Sequence, residues 1–218
     1  MKKFVIVFVL MVLVSSSTQV LARGFEVVGG STYNTFLLSL SVDGEDVLIG
    51  DGIKERLEYG VGFYAGGRYW LNDRLGIEVG VDQAASSYEE SNSDSIFEIE
   101  EELVGPYAGL RYRLNDKFQL EAGAVNYSYQ QSQTEIYQDL EEFDEVSARG
   151  GGLGFLIGGE YNYSIRENLS LISSFNHRII TIDINEAYDY EESRLVDVEK
   201  EKLNMGGLRV SLGISYDF

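Results

Sequence analysis

Charged residues of opposite sign recur in this sequence at a fixed spacing. Arg68 precedes Glu78 by ten residues, and Arg111 precedes Glu121 by the same distance. If the fold encloses these residues, the two charges of each pair must lie together, because an unpaired charge removed from water is strongly destabilising. The candidates for such an internal network of structural ion pairs are Arg68, Glu78, Arg111, Glu121, Glu160 and Arg209.

Residues that could perform catalysis are few. His177 is the only histidine and the chain has no cysteine. An imidazole often serves as a general base for a nucleophilic hydroxyl, yet no serine lies two residues from His177. The glycine run 150–152 opens a predicted strand rather than a helix, so it does not form a phosphate-binding loop. We therefore predict no enzymatic activity and no catalytic, cofactor-binding or metal site. The alternative is a lipid-modifying hydrolase that combines His177 with acidic residues from other segments.

The N-terminus has the pattern of an export signal. Residues 2 and 3 are lysines, residues 4–14 form an unbroken apolar run, and residues 20–22 provide a plausible cleavage site. The apolar run is shorter than the roughly 18 residues that a membrane-spanning helix needs, which favours a cleaved signal peptide over an anchor. We expect a signal peptide over residues 1–22 and a single domain over residues 23–218. No other stretch is long and apolar enough for a membrane helix.

A repeated strand–turn–strand segment sets the register of the predicted strands. Segments 68–78 and 111–121 align, and each contains Tyr-x-Leu-Asn-Asp. A three-residue turn at 72–74 places apolar residues opposite one another and sets Arg68 opposite Glu78. A turn one residue shorter or longer would place the apolar face of one strand opposite the polar face of the other. The predicted apolar pairs are Leu71 with Leu75, Tyr69 with Ile77, Leu114 with Phe118, and Tyr112 with Leu120.

Alternation of apolar and polar residues extends this register and predicts eight antiparallel strands. They lie near 24–40, 56–71, 75–88, 103–114, 118–131, 151–165, 169–184 and 205–218. Three short turns, near 72–74, 115–117 and 166–168, lie at one end of the sheet. Four long segments, near 41–55, 89–102, 132–150 and 185–204, lie at the other end and are predicted to be loops.

The four long segments carry most of the charge. They hold 25 of the 36 acidic residues, and without residues 1–22 the net charge is about −21. This charge excludes nucleic acid as a partner, since phosphates need a basic surface. Carboxylates such as those of Glu100, Glu101 and Glu102 could bind Ca²⁺ or Mg²⁺ weakly, although no calcium-loop motif is present. Dense like charge also simply keeps exposed loops hydrated.

The final strand and the turn repeats resemble those of the small OmpA/OmpX-type family of bacterial outer-membrane proteins, without a peptidoglycan-binding domain. In residues 208–218 apolar and polar side chains alternate and end on a C-terminal phenylalanine. The resemblance implies an all-β, eight-stranded antiparallel up-and-down transmembrane β-barrel in the bacterial outer membrane. It also implies that Tyr216 and Phe218 form an assembly signal for the barrel assembly machinery.

Two aromatic belts are expected at the membrane surfaces of such a barrel. The belt near the short turns would comprise Tyr69, Tyr112, Phe118, Tyr163, Tyr216 and Phe218. The belt near the long segments would comprise Phe36, Tyr59, Tyr88 and Tyr127.

The resemblance is specific for architecture and much less so for function, because such families include structural proteins, adhesins, surface-defence proteins and some enzymes. We expect a non-enzymatic barrel with a structural and surface-interaction role, whose acidic loops face lipopolysaccharide, divalent cations or surface ligands. The alternative is a narrow passive channel for small hydrophobic or cationic solutes. The interior of an eight-stranded barrel is just wide enough for side chains, which favours a polar plug over a conduit. A secreted lipocalin-type barrel with its apolar face inside is the architectural rival.

Overall fold

The computed structural model describes residues 24–42, 45–47, 57–91, 95–137, 143–189 and 194–218, and the predicted signal peptide lies outside them. The strands are β1 (Phe25–Val42), β2 (Glu45–Val47), β3 (Leu57–Trp70), β4 (Leu75–Ser91), β5 (Ser95–Arg113), β6 (Phe118–Tyr137), β7 (Phe143–Arg166), β8 (Leu169–Asp189) and β9 (Arg194–Asp217). None of the described residues forms a helix with the length and apolarity needed to cross a bilayer.

Eight long antiparallel strands form a closed barrel. Strands β3 to β9 pair in sequence order, and β1 pairs with both β3 and β9. The β1–β9 ladder runs from Glu26 to Val42 and joins the first strand to the last. The short β2 was not predicted; it pairs with the end of β1, where Leu40 lies opposite Val47. The predicted eight-stranded up-and-down barrel is confirmed.

The first predicted three-residue turn is present. Arg68 lies opposite Glu78, as the parity argument requires. The Asn72 side chain fixes the turn, because its Oδ1 accepts hydrogen bonds from the backbone N–H groups of Arg74 at 2.9 Å and Leu75 at 2.8 Å. An asparagine that binds its own backbone two or three residues further on is a common turn-forming device.

The second turn repeats this arrangement and the third does not. Arg111 lies opposite Glu121, and Asn115 Oδ1 accepts hydrogen bonds from the N–H groups two and three residues further on, at 2.9 and 3.0 Å. In the third connection Arg166 pairs with Leu169, which leaves a two-residue turn preceded by a register shift in β7. The third turn is therefore one residue shorter than the first two.

At the opposite end the strands extend further than predicted. Several ranges that the sequence assigned to long loops belong to strands; these are 41–42, 45–47, 89–91, 95–102, 132–137, 143–150, 185–189 and 194–204. The loop prediction is wrong for these residues, because an acidic composition does not by itself exclude a β-strand. Beyond the membrane, however, a strand can carry carboxylates on its hydrated face at little cost. The remaining parts of the connections lie outside the described residues.

Near the short turns, apolar side chains point outward and polar side chains point inward. On β4, Val79 is 58% exposed, whereas the neighbouring Glu78 is only 3% exposed. On β6, Leu120 is exposed and Glu121 is buried. This alternation is the one expected of a barrel wall in lipid, where the outer face contacts acyl chains and the inner face lines a polar lumen.

Towards the other end the polarity of the two faces inverts. On β8, Ile180 and Ile182 point inward and are buried, while Asp183 points outward into solvent. The buried side chains of this region form one apolar cluster, comprising Phe36, Ala84, Leu103, Tyr107, Val125, Tyr127, Tyr129, Ala148, Leu156, Ile180, Ile182, Ile184, Leu203 and Met205. An apolar interior with a polar exterior is the pattern of a barrel in water. The wall therefore leaves the lipid at the level where the pattern inverts.

The aromatic residues follow the same division. All six aromatic residues predicted near the short turns are exposed on the outer face, as a belt at that end requires. In the second predicted belt, Tyr59 is exposed on the outer face. Phe36 and Tyr127 are each only 2% exposed and lie inside the barrel, so their assignment to the belt is wrong. The Tyr88 side chain lies outside the described residues.

Truncation of one cluster residue should lower stability measurably. Ile182 is fully buried, and replacing it with alanine is expected to lower the free energy of unfolding by about 2–5 kcal/mol, because the cavity left behind lacks contacts. Ile179→Ala is the control, since that side chain lies on the same strand but faces lipid. Urea-induced unfolding in detergent micelles measures both. A loss no larger for Ile182→Ala than for Ile179→Ala would contradict the packed interior.

Candidate functional site

The charged lumen near the short turns is centred on Arg68. This side chain is fully buried, and its guanidinium contacts three carboxylates. Its Nε donates to Glu78 at 2.9 Å, its Nη1 to Glu26 at 3.1 Å, and its Nη1 and Nη2 to Glu160 at 3.1 and 3.0 Å. Bidentate pairing of this kind is the strongest and most directional form of the arginine–carboxylate interaction.

Arg111 joins the same network from the neighbouring strand. Its Nη1 lies 2.8 Å from a carboxylate oxygen of Glu121 and 3.0 Å from one of Glu160, and its Nε lies 2.9 Å from Glu78. The Tyr107 hydroxyl donates a 2.9 Å hydrogen bond to Glu121. Glu78 and Glu160 therefore bridge the two arginines. We call the group of Arg68, Arg111, Glu26, Glu78, Glu121 and Glu160 the lower network.

An aromatic ring and a third arginine close the lower network at the end of the barrel that carries the short turns. The Trp70 indole N–H donates to a carboxylate oxygen of Glu26, and the Ser215 hydroxyl donates to the other oxygen at 3.0 Å. The Arg113 guanidinium lies over the Trp70 ring, 3.8 Å from its centroid, and 3.7 Å from Glu26. The indole and guanidinium cover the network on the side where water would enter.

A second network lies between the lower network and the apolar cluster. Asp82 is its centre, with Arg209 Nη2 at 2.8 Å and Arg178 Nη1 at 3.3 Å. The Tyr127 hydroxyl donates to the same carboxylate at 2.6 Å. The Arg178 guanidinium also lies 5.2 Å from the centroid of the Phe36 ring. Since Tyr127 and Phe36 belong to the apolar cluster, this upper network joins the charged and apolar parts of the interior.

The described lumen leaves little space for a solute. Five carboxylates in the two networks face five guanidinium groups, if Arg113 is included. The cavity between the networks has a volume of about 10 Å³, which suffices for about one water molecule. Among the described residues the charges balance, and side chains fill most of the space between the two networks, so the arrangement holds the strands together.

The structure places all six residues that the sequence predicted for the lumen inside the barrel and buries them. Five of them, Arg68, Glu78, Arg111, Glu121 and Glu160, lie in the lower network, and Arg209 lies in the upper network. Sequence reasoning did not assign roles to Glu26 and Asp82. Asp82 could have been found, since it has the same parity on β4 as Glu78. Tyr216 and Phe218, the predicted assembly signal, pack edge to face with ring centroids 4.9 Å apart.

His177 lies away from both networks. It is on the outer, lipid-facing side of β8, opposite Ile157 on one neighbouring strand and Leu208 on the other. The residues two positions before and after it on the same face are Phe175 and Ile179, both exposed and apolar. These surroundings supply neither a hydroxyl nucleophile nor a carboxylate to orient the imidazole.

Replacement of His177 is expected to leave membrane lipid unchanged. Cells that produce His177→Ala and cells that produce the original protein should have identical lipid A mass spectra, because no catalytic group adjoins the imidazole. Cells that lack the protein are the reference. A lipid A species present only with the original protein would contradict this account and support the hydrolase alternative.

The described residues do not assemble a metal site. They contain no group of three or more histidine, cysteine, aspartate or glutamate side chains arranged to hold an ion. The Glu100-Glu101-Glu102 run lies on β5, where successive side chains alternate between the two faces. Glu101 is buried inside, and its two neighbours are exposed outside. Three consecutive glutamates on a strand therefore cannot converge on one cation.

The fold and the polar lumen define the class of protein. The chain belongs to the outer membrane protein beta-barrel domain family, whose model matches residues 4–218. Membership of this family implies location in the bacterial outer membrane, whereas cleavage after residue 22 stays a prediction. A search among curated proteins gives no significant match.

Solved structures show the same type of fold. The chain is similar to the outer membrane protease OmpT from Escherichia coli, with 10% identity and a TM-score of 0.51, over 90% of this chain and 97% of that one. It is also similar to Neisserial surface protein A, with 17% identity and a TM-score of 0.47, over 90% and 98%. Ail, the attachment invasion locus protein of Yersinia pestis, matches with 14% identity and a TM-score of 0.45, over 89% and 99%.

Proposed function

We propose that this protein is a non-enzymatic outer-membrane barrel that supports the membrane and presents an acidic surface to ligands and cations outside the cell. The observation that carries the proposal is the filled lumen, in which two ion-pair networks and an apolar cluster follow one another along the axis. A barrel that is blocked at three levels has no room for solute passage. Its working surface is then the part of the wall beyond the lipid.

The wall beyond the lipid is well suited to display. Strands β4 to β9 continue past the level where the polarity inverts, and the apolar cluster packs them from inside. Carboxylates on the outer face include those of Glu100, Glu102, Asp183 and Glu186. Lys202 lies 3.8 Å from Asp183 and Arg149 lies 3.7 Å from Glu186, so the acidic excess is greatest at Glu100 and Glu102. A rigid surface of one dominant sign raises the local concentration of cations and basic partners. Divalent cations could bridge it to the phosphates of neighbouring lipopolysaccharide.

The display function can be tested on intact cells. Neutralising four outer carboxylates together (Glu100→Gln, Glu102→Gln, Asp183→Asn, Glu186→Gln) is expected to reduce the binding of fluorescent polylysine to cells by at least about threefold at low salt, because screening is then weak. The control neutralises three acids of the short turns, which face the periplasm in this proposal (Asp73→Asn, Asp116→Asn, Glu167→Gln), and should leave binding unchanged. Equal binding by the original protein and the fourfold variant would overturn the proposal.

A further inference from the structure

A lateral notch interrupts the outer wall where the pairing between β3 and β4 ends. The last pair is Gly60 with Ser86; beyond it the described part of β3 stays paired with β1 as far as Leu57, and β4 continues to Ser91. The gap between the two strands borders a cavity of about 450 Å³. This volume lies within the range of small-molecule binding sites in proteins.

One side of the notch is aromatic and apolar. The rings of Tyr33 and Tyr59 are stacked with their centroids 5.9 Å apart, and Val61 lies beside them on β3. All three side chains are about half exposed or more. They lie just below the level at which the outer face of the wall changes from apolar to polar, so this side of the notch meets the outer edge of the lipid.

The other side of the notch is acidic. Glu100 and Glu102 are exposed on the outer face of β5 and line the cavity together with Ser87. Glu101 also borders it, but this carboxylate is buried and accepts a 2.8 Å hydrogen bond from the Tyr129 hydroxyl. The Gln83 amide donates a 2.7 Å hydrogen bond to Glu102 Oε1, which helps to orient this carboxylate. No lysine or arginine occurs among the described residues that line the notch. Two carboxylates without a cationic neighbour there favour a positively charged ligand.

The geometry points to a binding site for an amphiphilic amine that enters from the outer leaflet. Its ammonium group would lie between Glu100 and Glu102, and its apolar chain would follow Val61 into the lipid. The Tyr33 and Tyr59 rings can make two kinds of contact with this ligand. Their faces attract a cation, and their apolar atoms pack against an alkyl chain. An anionic headgroup would meet two carboxylates, and a small hydrated cation would leave the aromatic side uncovered.

Binding can be measured with a dansyl-tagged dodecylammonium probe in phosphatidylcholine nanodiscs that hold the barrel. Empty nanodiscs and dansyl-tagged dodecanol, the neutral analogue, give the background. The site is expected to bind the ammonium probe at least about tenfold more tightly than the alcohol. Glu100→Gln combined with Glu102→Gln should abolish that preference, and Asp183→Asn combined with Glu186→Gln should retain it.

Three results would overturn the inference. The preference could survive in the Glu100→Gln/Glu102→Gln variant, or it could be lost equally in the Asp183→Asn/Glu186→Gln variant, which would indicate general surface charge. Butylammonium, which lacks a long chain, could compete as well as untagged dodecylammonium, which would point to a water-borne ligand. The inference rests on the proposed display function. The failure of this inference can be told apart from the failure of the display function. If only the inference is wrong, polylysine still binds to the cells, but the barrel in nanodiscs does not prefer the ammonium probe to the alcohol.

Discussion

Replacing Arg68 with methionine is expected to lower the free energy of unfolding by at least about 3 kcal/mol, or to prevent refolding. The substitution keeps a long side chain but leaves Glu26, Glu78 and Glu160 without the guanidinium that contacts all three. Breaking a buried ion pair by removing one partner costs about 3–5 kcal/mol, since the remaining charge stays buried and uncompensated. Urea-induced unfolding in detergent micelles, followed by the gel shift of the folded barrel, measures the loss.

Two further variants separate the ion pair from a general effect of substitution. Arg74→Met changes an exposed arginine in the first turn and should leave stability unchanged. Glu160→Gln introduced together with Arg68→Met should cost less than the two single changes added, by about 0.5–3 kcal/mol, because the residues share one network. Strict additivity of Arg68→Met and Glu160→Gln would show that the contacts seen between them contribute nothing to stability.

A lysine introduced on the outer face should report the membrane boundary. Ala122 and Ser128 both point outward on β6, below and above the level where the polarity inverts. Ala122→Lys is expected to destabilise the barrel in lipid vesicles by about 2–4 kcal/mol, since a cation near the bilayer midplane is poorly solvated. Ser128→Lys should change stability by no more than about 1 kcal/mol, because water reaches that position.

The same pair of variants supplies its own control. In detergent micelles, whose apolar layer adapts to the protein surface, the difference between Ala122→Lys and Ser128→Lys should shrink. Equal costs at the two positions in vesicles would contradict the assigned boundary. It would mean that the polar outer residues of β6 lie in lipid, or that Ala122 lies outside it.

The sequence predicts the membrane-spanning half of the barrel well because one period governs it. Turn chemistry at Asn72 and Asn115 fixes the parity of the flanking strands, and that parity alone places Arg68 and Arg111 inside. The strand segments beyond the lipid were not predicted, because the polarity of the two faces of the wall inverts there. On β8 the inversion is visible as the adjacent pair Ile179 and Ile180, apolar on both faces.

Some features of the lumen have no signal in a single sequence. The parity of β1 and β7 places Glu26 and Glu160 on the inner face, but it does not state that both meet the Arg68 guanidinium. That contact depends on how the strands are staggered around the closed wall. The notch depends on where the pairing between β3 and β4 ends, and the acidic residues near the strand ends gave no indication of that position.

Solute release from liposomes that contain the refolded protein tests the central claim, a barrel with a closed lumen. The filled interior predicts that an entrapped small dye and an entrapped sugar escape no faster than from empty liposomes, with or without millimolar Ca²⁺. Faster release of either solute would contradict the closed lumen and favour a narrow passive channel. Suppression of that release by Ca²⁺ would further indicate that the acidic outer wall controls the channel.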